Sequence, residues 1–194
     1  MDTYSYEAEQ AMVGMMSLLG IGSVFVFWLV FILAIILFTL LLNIIFGIPY
    51  YKMAKNAGIP HAWLAFIPYG FYYIALMLPK REFNIFNWIK THDRMKVFWY
   101  YLASFPAIGI VSGLLSLLSA IPIIGFIFLL VAYVVSMAYS VAVYVFMWRV
   151  YYDILMTYGL EDNAMALSVL NCFFPIIMPI CSFMIMNRQP NYNI

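Results

Sequence analysis

The chain is written in long apolar runs separated by short polar ones, and the runs set the reading of everything else. The first extends from Ala11 to Tyr51, well beyond the roughly 20 residues that one helical bilayer crossing needs. Gly14, Gly20 and Gly22 crowd its first part. Residues 7–20 therefore predict a helix lying at or entering the interface, within an N-terminal interfacial segment over 1–22. The crossing itself is expected over 23–46. Gly47 and Pro49 mark its end, and Tyr50-Tyr51-Lys52 reads as an interface anchor.

Two further runs, 97–118 and 121–148, predict transmembrane helices. The linker Ser119-Ala120-Ile121-Pro122 is short enough to fold them as a tight hairpin, and Pro106 is a candidate kink. Two other apolar segments are interrupted: 62–78 by Pro68 and Gly70, and 164–186 by Pro175 and Pro179. Each can be a re-entrant loop or a broken span. Between them, residues 82–96 alternate charged with aromatic and aliphatic side chains, which predicts a cytoplasmic interfacial helix. Residues 151–163 read as a polar, acidic loop. The fold class is thus an all-α integral membrane protein, one membrane domain over 1–194, with three clear transmembrane helices and two proline-broken segments.

Composition supports lipid as the solvent. Hydrophobic residues make up 67% of the 194 and charged residues 9%, and mean hydropathy is +0.99. Soluble domains carry about 25% charged residues, and a soluble fold of this size could not hide so much apolar surface. The net charge of +1 carries no basic run, so nucleic acid is not an expected partner. The lipid bilayer is.

The placement of charge is more informative than its total. All nine basic residues lie from Lys52 onward, while the N-terminus carries only Asp2, Glu7 and Glu9. Short basic loops stay cytoplasmic, which puts the N-terminus outside and residues 80–96 in the cytoplasm. If 62–78 spans, Lys52 and Lys55 face one side and the five bases at 80–96 the other. If it dips and returns, all seven share the cytoplasm. A weak internal repeat points the same way. Tyr50-Tyr51-Lys52 and Tyr151-Tyr152-Asp153 each close a long helix, and each precedes a glycine turn (Gly58, Gly159) and a proline-broken segment that ends at Arg81 or Arg188.

Candidate chemistry is sparse. No Ser-His-Asp set, H-E-x-x-H or glycine-rich phosphate loop is present, so no catalytic, cofactor-binding or metal-binding residues are assigned and no enzyme is expected. Cys172 and Cys181 on one helix would sit about 13 Å apart along its axis, too far for a disulfide, and read as two buried thiols. Every charged side chain falls outside the five apolar segments. Asn43 and Asn171 are the main polar interruptions, suited to interhelical hydrogen bonds. Trp88, Lys90, Arg94 and Lys96 form a candidate surface for docking protein or binding lipid headgroups. Gly109 and Gly113 on one helix, and Ser136 and Ser140 on the next, are candidate helix-packing positions, since small residues four apart let backbones approach closely. They fit packing inside the 97–148 hairpin or contact with another subunit.

The stretch Lys55-Asn56-Ala57-Gly58-Ile59-Pro60-His61-Ala62-Trp63-Leu64-Ala65-Phe66-Ile67-Pro68 follows the pattern K-x-A-G-x-x-x-A-W-L-A-x-I-P. It resembles small multi-pass membrane proteins of bacteria, mostly Gram-positive. The segment Phe173-Phe174-Pro175-Ile176-Ile177-Met178-Pro179-Ile180, running on to Asn187-Arg188, resembles their last segment. The resemblance covers about residues 50–80 and 140–190. It implies the cytoplasmic (inner) membrane of a bacterium and carries no activity or catalytic residue. The expected function is a non-catalytic subunit or scaffold of a larger assembly, such as secretion, pilus or envelope machinery, acting through other membrane proteins or self-association. A small oligomeric pore or permease is the alternative.

Overall fold

The computed structural model describes residues 3–87, 89–121 and 124–192. Trp88 lies outside them. The chain divides into two compact units, one ending at Asn43 and one starting at Ile44.

The first unit is the leading part of α1 (Thr3–Asn56), a single helix of 54 residues. From Thr3 the N-terminal segment is helical, as expected over 7–20, and it joins the crossing helix without a break. Nothing interrupts the helix at Gly14, Gly20 or Gly22, because these glycines sit among strong helix formers and a glycine in a helix costs only about 1 kcal/mol. Side chains from Val24 to Leu41 are exposed. Rings at Phe27 and Phe31 stack at 6.2 Å, one turn apart.

In the second unit, α1 runs on past Gly47 and Pro49 to Asn56, so the stop expected at 46 is not observed. Gly47 has a different use. A Cβ there would lie 2.6 Å from the Ala65 carbonyl oxygen, so the absence of a side chain lets the 62–66 backbone press against α1. The segment 62–78 is not one helix. It is a 3-10 turn over Ala62–Phe66 followed by α2 (Gly70–Met77), with Tyr69 at φ 67° between them.

Residues 82–96 do not form an interfacial helix. They make a short antiparallel hairpin, β1 (Phe83–Ile85) and β2 (Ile89–Thr91), with Asn84 opposite Lys90. The pattern explains the correction: Phe83 and Ile85 alternate inward while Asn84 stays half-buried between them, a period of two rather than 3.6. Phe86 and Asn87 take positive φ in the turn. The Asn84 carboxamide closes it by accepting from the Asn87 N–H at 2.9 Å and donating to Asn87 Oδ1 at 2.8 Å, the local bonding that favours asparagine in turns.

The two remaining long helices are α3 (Arg94–Leu118) and α4 (Gly125–Thr157), packed as a hairpin. Helix α4 begins a few residues later than expected and ends well beyond 148. It absorbs most of the stretch read as an acidic loop, leaving only a 3-10 turn at Glu161–Asn163. The last apolar segment divides into α5 (Ala164–Phe173) and α6 (Ile177–Ile185). The two cysteines therefore lie on different helices, both free.

Among the described residues, three helices are long and apolar enough to cross a membrane: Gly22–Asn56, Arg94–Leu118 and Gly125–Thr157. Their most apolar windows are almost wholly unburied within the chain, as expected where lipid rather than protein is the solvent. The protein core lies elsewhere. Tyr50, Met53, Ile74, Leu78, Ile154, Tyr158 and Ile185 are fully or nearly fully buried together, where the ends of α1 and α4 meet the short helices of the broken segments.

Candidate functional site

Charge and polar structure gather at one end of the α3–α4 hairpin. Arg94 is the first residue of α3, and Asp153 lies one turn from the end of α4. Arg94 Nη2 meets Asp153 Oδ2 at 2.6 Å, with the arginine 5% exposed and the aspartate 0%. The other donors of Arg94 tie down neighbouring backbone: Nε donates to the Arg81 carbonyl at 2.8 Å and Nη1 to that of Leu76 at 3.2 Å. One guanidinium thus joins the end of α2, the following loop, α3 and α4. The Phe83 ring lies 5.5 Å from its centre.

Arg149, one turn before Asp153 on α4, reaches the second carboxylate oxygen at 3.0 Å. Thr157 Oγ1 donates to the Asp153 carbonyl at 2.7 Å. Buried ion pairs hold only when the geometry is good and the remaining donors are satisfied, and Arg94 meets that condition. Arg149 and Asp153 lie beyond the apolar run 121–148 but within α4, which continues past that run to Thr157. Sequence reading missed them by placing 151–163 in a loop. The signal was present, since Arg149 and Asp153 share a face at i, i+4 and the apolar rhythm continues through Val150, Ile154 and Leu155.

The sequence candidates separate accordingly. Arg94 is a buried clasp and offers no surface for docking. Lys90 and Lys96 are exposed, paired to Glu82 at 3.6 Å and to Asp93 at 3.3 Å. Asp93 also caps α3, accepting from the Lys96 N–H at 3.2 Å. That bond and the nearby ammonium hold its carboxyl below the usual carboxylate range. Asn43 donates to the Thr39 carbonyl of its own helix, and Asn171 Oδ1 accepts from the Met178 N–H across the α5–α6 break. Neither hydrogen bond joins two of the long helices.

The small residues at Gly109, Gly113, Ser136 and Ser140 are exposed. A Cβ on either glycine would meet nothing within 4 Å. The hairpin closes through other positions: Ser104 bonds Tyr139 between hydroxyls at 2.9 Å, and the Tyr101 and Phe146 rings stack at 4.7 Å. The small faces are left turned away from that contact.

The ends of α1 and α4 share one cap. Gly58 and Gly159 stand at φ 69° and 78°, and the next residue bonds back five positions, Ile59 to the Ala54 carbonyl and Leu160 to that of Leu155, as a Schellman cap does. Each glycine falls at the same distance along the chain from its tyrosine, Tyr50 or Tyr151. Arg188 Nη1 closes the second cap by donating to the Gly159 carbonyl at 2.6 Å. Tyr158 donates to the Met53 carbonyl at 3.5 Å, bringing the two helix ends together. Burial pushes its hydroxyl above the ordinary tyrosine range.

Below the hairpin, an open groove of about 520 Å³ runs between α3 and α4, with Phe83, Phe86, Val97, Tyr101, Ala142 and Phe146 in its lining. Among the described residues no His, Cys, Asp and Glu cluster could hold a metal.

These features define a membrane-embedded helical protein with a polar cap structure at one end of its paired helices. No family model, curated protein or solved structure matches the chain.

Proposed function

We propose that this protein is a non-catalytic subunit or scaffold of a larger assembly in a bacterial cytoplasmic membrane, acting through lateral helix contacts. The observation that carries this reading is the outward face of the α3–α4 hairpin. Gly109, Gly113, Ser136 and Ser140 are open while the hairpin is already closed by other residues. Small residues at an open face let another membrane helix approach closely. Lys90 and Lys96 are the exposed cations left on the hairpin and the start of α3, and they would guide a partner from the cytoplasmic side.

The topology belongs to the same reading: N-terminus outside, all nine basic residues in the cytoplasm, and both broken segments re-entrant. Support comes from contacts that return each segment to its start. Arg188 bonds the carbonyls of Tyr158 and Gly159. Leu76 and Arg81 bond Arg94 beside Asp153, and Met53 bonds Tyr158.

The test is site-directed crosslinking in native membranes with Cys172 and Cys181 replaced. Cysteine at Ser136 should give a discrete adduct of defined mass, and cysteine at exposed Val134, on the opposite side of α4, should not. Equal, diffuse labelling at both positions would defeat the proposal. Specific dye release by the purified protein in liposomes would replace it with a pore.

A further inference from the structure

We propose that the α3–α4 groove binds one acyl chain of an anionic phospholipid, and that Arg149 and Arg81 hold its phosphate. The first reason is charge. From Ile44 onward there are nine basic residues and five acidic ones. In the buried cluster two guanidiniums, Arg94 and Arg149, share one carboxylate, Asp153, and Arg81 adjoins them through its carbonyl, which Arg94 bonds. Each oxygen of the Asp153 carboxylate faces an arginine, although Oδ1 makes no hydrogen bond. The neighbouring acids are committed elsewhere, Glu82 to Lys90 and His92, and Asp93 to Lys96. An excess of positive charge at low dielectric calls for an anion.

The second reason is unused donors. Arg149 Nε, Arg81 Nη1 and Trp148 Nε1 are buried without a hydrogen-bond partner. Buried donors left unpaired cost free energy. The Arg149 side chain remains 19% exposed and Arg81 is half-buried, so neither side chain is wholly sealed from an incoming group. Arginine pairs with phosphate through two parallel hydrogen bonds.

The third reason is continuity between the donors and the groove. Val145 lines the groove, and Arg149 stands one turn further on the same face of α4. Phe86 lines it too and stacks on Trp148 at 6.0 Å. The lining is nearly all apolar, and its Ser104 hydroxyl is already bonded to Tyr101 and Tyr139. The volume is within the range of about 300–1,000 Å³ typical of ligand pockets. A free phosphate would use the donors but leave the groove unfilled. A zwitterionic lipid would fill the groove but carries its own cation beside the phosphate. An anionic phospholipid satisfies both features.

The test is native mass spectrometry of the full chain, purified in mild detergent and offered equal phosphatidylglycerol and phosphatidylcholine. The wild type should retain phosphatidylglycerol about tenfold better, the scale of one charge-assisted hydrogen bond. Arg81→Gln, which keeps the backbone carbonyl used by Arg94, should lose most of that preference and still take up either lipid. Ala142→Trp should fill the groove and lose both lipids; if that variant does not elute as folded, Ala138→Trp on the same lining serves. Equal retention of the two lipids by the wild type would overturn the proposal, as would full preference in Arg81→Gln. Inorganic phosphate that displaces phosphatidylglycerol and binds Ala142→Trp as well as the wild type would assign the donors to a free anion and also overturn it.

Discussion

Arg94 and Asp153 each sit at the helix end whose dipole disfavours its charge, and they compensate one another across 2.6 Å. A cation opens α3 where the backbone N–H groups are unsatisfied, and an anion lies in the last turn or so of α4 where carbonyls are. Neither placement helps its own helix. Both make sense as a clasp between segments 59 residues apart.

Removing the carboxylate should therefore be more damaging than removing the whole pair. Asp153→Ala leaves Arg94 buried and uncompensated, a loss on the order of 3–5 kcal/mol. Arg94→Met combined with Asp153→Leu should recover much of it. Thermal unfolding in detergent, followed by size-exclusion elution, measures both. A double variant no more stable than Asp153→Ala would show that the pair is not the unit.

The glycines divide into two groups by what surrounds them. Gly47→Ala would drive a Cβ to 2.6 Å from the Ala65 carbonyl, so it should lower the melting temperature clearly. Gly109→Ala and Gly113→Ala meet nothing within 4 Å. They should leave the isolated protein as stable or slightly more so, since alanine is the better helix former by about 1 kcal/mol.

At the two shared caps, Gly58→Ala meets open space and carries only the backbone strain of positive φ, about 1–2 kcal/mol. Gly159→Ala adds a contact at 3.2 Å with Arg188 Nη1, the atom that bonds the Gly159 carbonyl. Gly159→Ala should be the more destabilising of the two in denaturant or thermal melts, and Arg188→Ala should narrow the difference.

Topology follows from the gathered charge. On a chain lacking Cys172 and Cys181, cysteines at Lys55, Thr91 and Gln189 should react with an impermeant maleimide from one side only, and cysteine at Ser5 from the other. Labelling of Lys55 and Thr91 positions from opposite sides would show that 62–78 crosses the membrane.

The Asp93 cap should respond to acid. Its carboxyl is held below the ordinary value of 3.8 by the Lys96 N–H and charge. A depressed folded value means the contribution is present above the unfolded value and is lost as pH falls through the folded one. Fraying of the first turn of α3, read by fluorescence near Trp99, should thus appear below about pH 4. Asp93→Asn, which keeps a capping oxygen without the charge, should remove most of that pH dependence.

The sequence by itself determined the solvent and the long helices. Apolar length is a local property, and the runs at 23–46, 97–118 and 121–148 each announce a helix that lipid will accept. The interruptions at Pro68 and at Pro175 were equally local, because proline removes a backbone donor. Only tertiary structure decided the polar end. Arg94 and Arg149 look like surface charges until Asp153 is brought between them. Gly47 looks like a helix stop until the Ala65 backbone rests on it. The hairpin at 83–91 was hidden by charges that suggested an amphipathic helix, and its strands are fixed by the burial of Phe83 and Ile85 against the chain. Gly109 and Gly113 resemble any close-packing motif, and only the actual α3–α4 contact, through Tyr101 and Phe146, leaves them facing outward. Each of these outcomes depends on partners distant in the chain, whose meeting no local pattern records.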